Sequence, residues 1–120
     1  MSDPDFFILY VADVAASAAF YERVLGAKPR EASPGFAMFE LSNGLKLGLW
    51  KRSQAAAHGD HAGEFGFVRA SRAAVDAQAA EWENRGFAIA QAPQALDFGY
   101  ACLARDADGF GLRVFVPHPA

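Results

Sequence analysis

One feature constrains this chain more than any other: the pattern of its first half recurs in its second half. Each half is predicted to run strand, helix and then three strands, and the two predicted helices end at Gly26 and Gly86. Each half also closes on a hairpin whose turn carries Asn43-Gly44 or Asp108-Gly109. We therefore expect an α+β fold of two tandem βαβββ modules, at about residues 5–52 and 64–117, with a linker at about 53–63.

Capping residues and apolar spacing predict where the helices and strands lie. Asp13 and Ser71 are good N-caps for helices over residues 14–25 and 72–85. Their predicted apolar stripes consist of Phe20, Tyr21, Val24 and Leu25 on the first helix, and of Val75, Ala79 and Trp82 on the second. The predicted strands cover residues 6–11, 36–41, 45–51, 64–68, 87–91, 98–105 and 110–116.

Alternation along the strands assigns the side chains to two faces of a sheet. One alternate set is aliphatic and should pack on the helices: Leu45, Leu47, Leu49, Leu112 and Val114. The other set must face the opposite side: Gly48, Trp50, Arg113 and Phe115. Two such half-sheets, placed side by side as one curved sheet, would enclose a cleft lined by the second set.

Composition excludes several classes of protein. The chain has 120 residues, of which 52% are hydrophobic, enough for one real core. The net charge is −3 and the 11 basic residues are scattered, so we expect no nucleic-acid partner. A single cysteine excludes an intrachain disulfide, and no apolar run is long enough for a membrane helix. The acidic start lacks the features of a signal peptide, so we expect a cytoplasmic protein.

Two motifs connect the chain with a known superfamily. Val11-x-Asp13-x-x-x-Ser17-x-x-Phe20-Tyr21, followed by Leu25-Gly26, resembles the first module of the vicinal oxygen chelate superfamily. Asp106-x-Asp108-Gly109 resembles its last hairpin. The superfamily includes glyoxalase I, extradiol dioxygenases, fosfomycin-modifying enzymes and bleomycin resistance proteins. The resemblance implies two βαβββ modules and a homodimer, often with strands exchanged between the subunits.

The resemblance also implies four positions that hold a divalent metal in the enzymes of the superfamily. In this sequence they are Phe6, Gly48, Glu64 and Arg113. Phe and Gly have no donor side chain and Arg is a permanent cation, so only Glu64 is able to bind a metal. We therefore expect no metal, no cofactor and no catalytic residue, although a pairing of Glu64 with Arg113, of Arg113 with Glu40, or of either with a polar group of a ligand remains open.

The expected cleft lining is instead aromatic. Gly48 is predicted to leave open space beside Trp50, where a flat ring would stack on the indole; the alternative is a tryptophan of the core or of a dimer interface. The candidate ligand-binding residues are Phe6, Ile8, Gly48, Trp50, Glu64, Phe98, Tyr100, Arg113 and Phe115. The faces taken by Phe39, Phe98 and Tyr100 depend on a hairpin register that alternation alone leaves open.

Two other groups of residues attract attention without supporting a site. His58, Asp60 and His61 lie among Ala and Gly in the predicted linker, where a solvated loop is the simpler interpretation. Cys102 has no adjacent His or Lys to lower its pKa, so we expect a buried small residue.

The lost metal positions favour one branch of the superfamily. The chain resembles the non-enzymatic proteins that sequester drugs such as bleomycin or phenazine-type antibiotics, and Leu47-Gly48-Leu49-Trp50 looks like the phenazine-resistance subgroup. This implies metal-independent binding of a planar aromatic small molecule and a role in antibiotic resistance. The alternatives are a metal-dependent glyoxalase- or dioxygenase-like lyase or oxygenase, and an accessory protein that holds an aromatic biosynthetic intermediate.

Overall fold

A computed structural model describes residues 3–55, 63–106 and 110–118. These residues form an α+β fold, as predicted, with eight strands and three helices. In chain order they are β1 (Phe6–Val11), α1 (Val14–Leu25), β2 (Glu31–Ala32), β3 (Phe36–Glu40), β4 (Lys46–Lys51), α2 (Arg52–Ala55), β5 (Gly63–Val68), α3 (Arg72–Asn84), β6 (Ala88–Leu96), β7 (Gly99–Arg105) and β8 (Gly111–Pro117). No helix within these ranges is long and apolar enough to cross a membrane.

The chain divides into two units with the same internal order. The first unit is Asp5–Gly63, and the second is Glu64–Ala120 with Met1–Pro4. In the first unit the strand order is β2-β3-β4-β1, and in the second it is β5-β8-β7-β6. In each unit the first strand pairs in parallel with the last, and the last pairs antiparallel with the strand before it.

The two units also share a strand register. In the first unit Phe6 pairs with Lys46, and in the second unit Glu64 pairs with Gly111. Two residues further along the last strand of each unit come Gly48 and Arg113. The register therefore makes Phe6 equivalent to Glu64 and Gly48 equivalent to Arg113, which is the alignment that the sequence repeat predicts.

The capping residues of α1 and α3 lie where the sequence predicts. The Asp13 carboxylate accepts a hydrogen bond from the Ala16 backbone N–H, and the Ser71 hydroxyl accepts one from that of Ala74. Gly26 ends α1 with φ of 67°, a left-handed conformation that glycine adopts without steric cost.

Each unit packs one face of its sheet against its long helix. In the first unit the core beneath α1 centres on Val14, Ala37, Phe39 and Leu49. In the second unit α3 packs its predicted stripe of Val75, Ala79 and Trp82 against the sheet. The sheet residues of this core are Cys102, Ala104, Val114 and Val116. Phe39, whose face the sequence left open, therefore belongs to the core.

The predicted stripe of α1 is wrong in part. Val14, Ala18 and Tyr21 pack on the core, whereas Phe20 and Val24 remain 51% and 60% exposed. With 3.6 residues per turn, Phe20 and Val24 lie about 100° around the helix from that inward stripe. Both groups of residues therefore have helical spacing, and contact with the sheet decides which of the two groups faces the core.

The sequence does not predict β2 or α2, and it predicts β6 too short. β2 has two residues, and α2 lies at the start of the predicted linker. β6 is nine residues long rather than the five predicted, and its pairing with β7 shifts register on either side of Gln91. Its Ala, Gln and Pro residues have low β propensity, which hides the strand from pattern reading.

Candidate functional site

The first unit carries an aromatic face on the side of its sheet opposite α1. Leu9 and Leu49 point into the helix-side core, so the alternate residues of β1 and β4 point the other way. The same holds in β3, where Ala37 and Phe39 face the core. We call the resulting set the aromatic face: Phe6, Ile8, Tyr10, Phe36, Gly48 and Trp50.

Trp50 is the largest side chain of the aromatic face. Its indole lies edge-on to the Tyr10 ring, with the centroids 5.9 Å apart, and is half-buried. Ile8 and Tyr10 beside it are buried, and Phe6 packs against the same cluster. The structure thus brings four of the predicted binding residues onto one face: Phe6, Ile8, Gly48 and Trp50.

Gly48 does not leave the open space that the sequence predicts. A Cβ added at Gly48 would lie 3.2 Å from the Phe36 ring and 3.3 Å from Ile8 Cγ1. Phe36 pairs with Trp50 across β3 and β4, and its ring lies over Gly48, two residues before Trp50 on β4. The missing side chain at position 48 therefore makes room for the chain's own Phe36 ring.

The second unit carries a buried ion pair on the side of its sheet opposite α3. Glu64 pairs with Gly111, and Arg113 follows two residues later on the same side of β8. Arg113 Nε donates to Glu64 Oε1 at 2.6 Å, and Nη2 donates to Oε2 at 3.1 Å. The two side chains are 1% and 0% exposed. Of the pairings that the sequence left open, the one between these two residues is formed.

A glycine makes room for this ion pair. A Cβ added at Gly111 would lie 2.9 Å from the Glu64 Cβ and 3.2 Å from Leu103 Cδ1, closer than real side chains pack. The absence of a side chain at position 111 therefore allows the Glu64 carboxylate to lie flat against β8 and to meet Arg113 with both oxygens.

Phe98 and Phe115 lie beside the guanidinium. The centre of the Arg113 guanidinium is 5.5 Å from the Phe98 ring centroid, within cation–π range. The Phe98 ring also packs edge-on against Phe115 at 5.8 Å and is exposed on its other side. Phe98 thus lies with Arg113 and Phe115, one of the two possibilities that the sequence left open.

Tyr100 does not belong to this group, contrary to its place among the candidate binding residues. It pairs with Val116 and packs on the core beneath α3. Its hydroxyl donates to the Asp76 carboxylate at 2.7 Å, which raises the pKa of Tyr100. The sheet therefore separates Tyr100 from Arg113. Cys102 lies on the same helix side, where burial raises the pKa of its thiol.

The four positions implied for a metal do not fit one. Phe6 and Gly48 offer no donor atom, and Glu64 uses both carboxylate oxygens on Arg113. No group of three or more His, Cys, Asp or Glu residues suited to a metal occurs within the described ranges. His58, Asp60 and His61 lie outside the described residues.

Phe36 and Lys46 of the first unit are not among the binding residues that the sequence predicts. Phe36 covers Gly48, and Lys46 points to the same side of β4 as Gly48 and Trp50. The Lys46 ammonium lies 5.6 Å from the Phe6 ring centroid. Alternation from Trp50 would have found Lys46, and assigning Phe39 to the core would have found Phe36.

Comparisons with known proteins give the same fold and a family. The family model described as "Glyoxalase/Bleomycin resistance protein/Dioxygenase superfamily" matches residues 4–114. The NAD-dependent benzaldehyde dehydrogenase from Legionella pneumophila is 36% identical over 95% of this chain and 99% of its own, with a TM-score of 0.88. No curated protein matches in sequence.

More distant structures show the fold alone. The Mn(II)-bound glyoxalase from Novosphingobium aromaticivorans is 24% identical over 95% of this chain and 38% of its own, with a TM-score of 0.65. A methylmalonyl-CoA epimerase from Streptomyces coelicolor is 18% identical over 98% of this chain and 99% of its own, with a TM-score of 0.69.

Proposed function

Because this chain belongs to the glyoxalase/bleomycin resistance protein/dioxygenase superfamily, we propose that it sequesters a planar aromatic small molecule and needs no metal to bind it. The role we propose is that of the antibiotic-binding branch, protection of a cell against an aromatic drug. No bond is made or broken: each bound molecule lowers the free concentration by mass action. The assembly we propose is a homodimer, which light scattering at micromolar concentration would test.

The buried ion pair is the observation that carries the proposal. A divalent metal at Glu64 would lie beside the buried Arg113 guanidinium, a permanent cation that donates a hydrogen bond to each carboxylate oxygen and would repel the metal. Releasing Glu64 would leave a buried guanidinium without its counter-charge, at a cost of about 3–5 kcal/mol. The same cost opposes Glu64 as a general base, which disfavours the enzymatic alternatives.

The aromatic face supports the choice of ligand. Phe6, Phe36 and Trp50 are each half-buried, so part of each ring remains accessible in the described residues of this unit. A flat ring that covered them would bury apolar area on both partners and gain about 0.5–1.5 kcal/mol more from each aromatic contact.

The Legionella relative adds support for an aromatic ligand but not for its activity. Benzaldehyde, the compound in its name, is a small aromatic molecule. The Rossmann dinucleotide-binding fold uses a Gly-x-Gly-x-x-Gly turn to bring its backbone close to the pyrophosphate of a nicotinamide cofactor. This pattern occurs nowhere in the 120 residues of the present chain. We therefore take the aromatic character of the ligand, and not hydride transfer, as what the two proteins share.

Tryptophan fluorescence tests the proposal directly. A panel of planar polycyclic compounds should contain members that quench Trp50 upon binding. Trp50→Ala should weaken binding of such a compound by about 2–4 kcal/mol, the range for a large aromatic anchor. Trp82 lies under α3 and is 5% exposed, so Trp82→Phe serves as the matched control and should keep both the quenching and the affinity. Unchanged binding by Trp50→Ala would show that the ligand lies elsewhere.

A further inference from the structure

We propose that the ligand of the aromatic face carries a carboxylate, and that this group pairs with Lys46. The inference rests on the proposed function, because it assumes that an aromatic molecule binds at Trp50. It goes further by naming a second recognition group and the orientation of the ligand along β4.

Lys46 lies on the aromatic face, at its far end from Trp50. It pairs with Phe6 across β1 and β4, as Trp50 pairs with Tyr10. Its ammonium lies 5.6 Å from the Phe6 ring centroid, so the side chain folds onto this face rather than extending away from the sheet. A half-buried lysine whose ammonium lies beside the Phe6 ring is a recognition group that a purely apolar ligand would not need.

The carboxylates around Lys46 do not neutralise it. Its antiparallel partner Glu40 bonds to Arg30, so these two charges cancel one another. Asp5 accepts the Lys46 backbone N–H through its carbonyl oxygen. None of the ion pairs formed among the described residues includes Lys46. The positive charge at this end of the aromatic face is therefore open to an anion from a ligand.

The spacing of the two ends sets the size of the ligand. Lys46 and Trp50 are four residues apart on one strand, which corresponds to about 13 Å. The Phe36 ring lies between them, above Gly48. Two or three fused rings with a carboxylate at one end would reach from the Lys46 ammonium across Phe36 to the indole.

The test compares two probes that differ only in charge, anthracene-2-carboxylate and its carboxamide. The parent protein should bind the carboxylate about 1.4–5-fold more tightly, the range expected for a partly screened ion pair. This preference should shrink at high salt. Lys46→Met keeps most of the side-chain length and removes the charge, so it should bind the carboxylate and the carboxamide with equal affinity.

Lys51→Met is the matched control. Lys51 lies on the same strand, is exposed, and points to the opposite side of the sheet from Lys46 and Trp50. The Lys51→Met variant also loses one positive charge, and it should keep the full preference for the carboxylate.

The outcomes separate this inference from the proposed function. If neither probe quenches Trp50, an aromatic ligand of this size does not bind there, and both proposals fail. If both probes bind with equal affinity, the aromatic site stands and the carboxylate inference is wrong. If Lys46→Met keeps the preference while Lys51→Met also keeps it, another cation recognises the acid and the assignment to Lys46 is overturned.

Discussion

The Arg113 guanidinium holds both oxygens of the Glu64 carboxylate, through Nε at 2.6 Å and Nη2 at 3.1 Å, with both side chains almost wholly buried. The two residues are 49 positions apart in sequence and meet because β5 and β8 pair in parallel. The pair turns two buried charges into one neutral unit.

Breaking this pair from either side should destabilise the protein strongly. Glu64→Leu and Arg113→Met each leave one buried charge without its partner, and each should lower the free energy of unfolding by about 3–5 kcal/mol. The double variant replaces both charges with apolar groups and should cost much less than the sum. Urea denaturation measures all three variants, and additive effects would show that the two residues are not coupled.

Two glycines, Gly111 beside the ion pair and Gly48 on the aromatic face, should respond differently to alanine. In Gly111→Ala the new methyl meets Glu64, which Arg113 holds in place, so the free energy of unfolding should fall by about 1–3 kcal/mol. In Gly48→Ala the methyl meets the half-buried Phe36 ring, which is able to shift, so the loss should be smaller. Thermal unfolding of both variants checks the order, and a larger loss for Gly48→Ala would contradict this account of the two contacts.

The protein should not take up a divalent metal in stoichiometric amount. Three of the four implied positions, Phe6, Gly48 and Arg113, lack a donor atom for a metal. Equilibrium dialysis against Zn, Mn, Ni or Fe should give far less than one equivalent, and a chelator should leave the quenching of Trp50 by an aromatic ligand unchanged. One equivalent of metal that is lost in Glu64→Gln would overturn this prediction.

Tyr100 should make stability fall at high pH. Its hydroxyl donates to the Asp76 carboxylate, which raises its pKa above the ordinary 10.0. A raised pKa contributes stability that is fully present below about pH 10 and is lost as the pH rises through the folded-state pKa. Absorbance titration should show a tyrosine pKa that falls in Asp76→Asn and is missing in Tyr100→Phe. Tyr100→Phe should remove this part of the decline in stability, and an unchanged decline would mean that other groups cause it.

Much of the fold was predictable because capping and alternation are local signals. Asp13 and Ser71 cap the helices as expected, and Leu49 and Trp50 take opposite faces of β4 because adjacent strand residues must. The repeat added the equivalence of Glu64 with Phe6, which the strand registers share. These signals do not depend on which elements pack together.

The errors arose where packing between elements decides the outcome. Phe20 and Val24 have helical spacing, but α1 turns Tyr21 towards the sheet instead. The space above Gly48 is filled by Phe36, which comes from a different strand. The face of Tyr100 follows from its pairing with Val116, which a single sequence does not reveal because the connection from β7 to β8 sets the register.

The division of each strand between two sides has a consequence for protein engineering. In β4, Leu49 contributes to the core and its neighbours Gly48 and Trp50 to the aromatic face. Substitutions at Phe6, Lys46 or Trp50 therefore leave the contacts beneath α1 intact. Under the proposed function, selectivity for flat molecules could therefore be redesigned at these positions, while the core beneath α1 lies on the other side of the same strands.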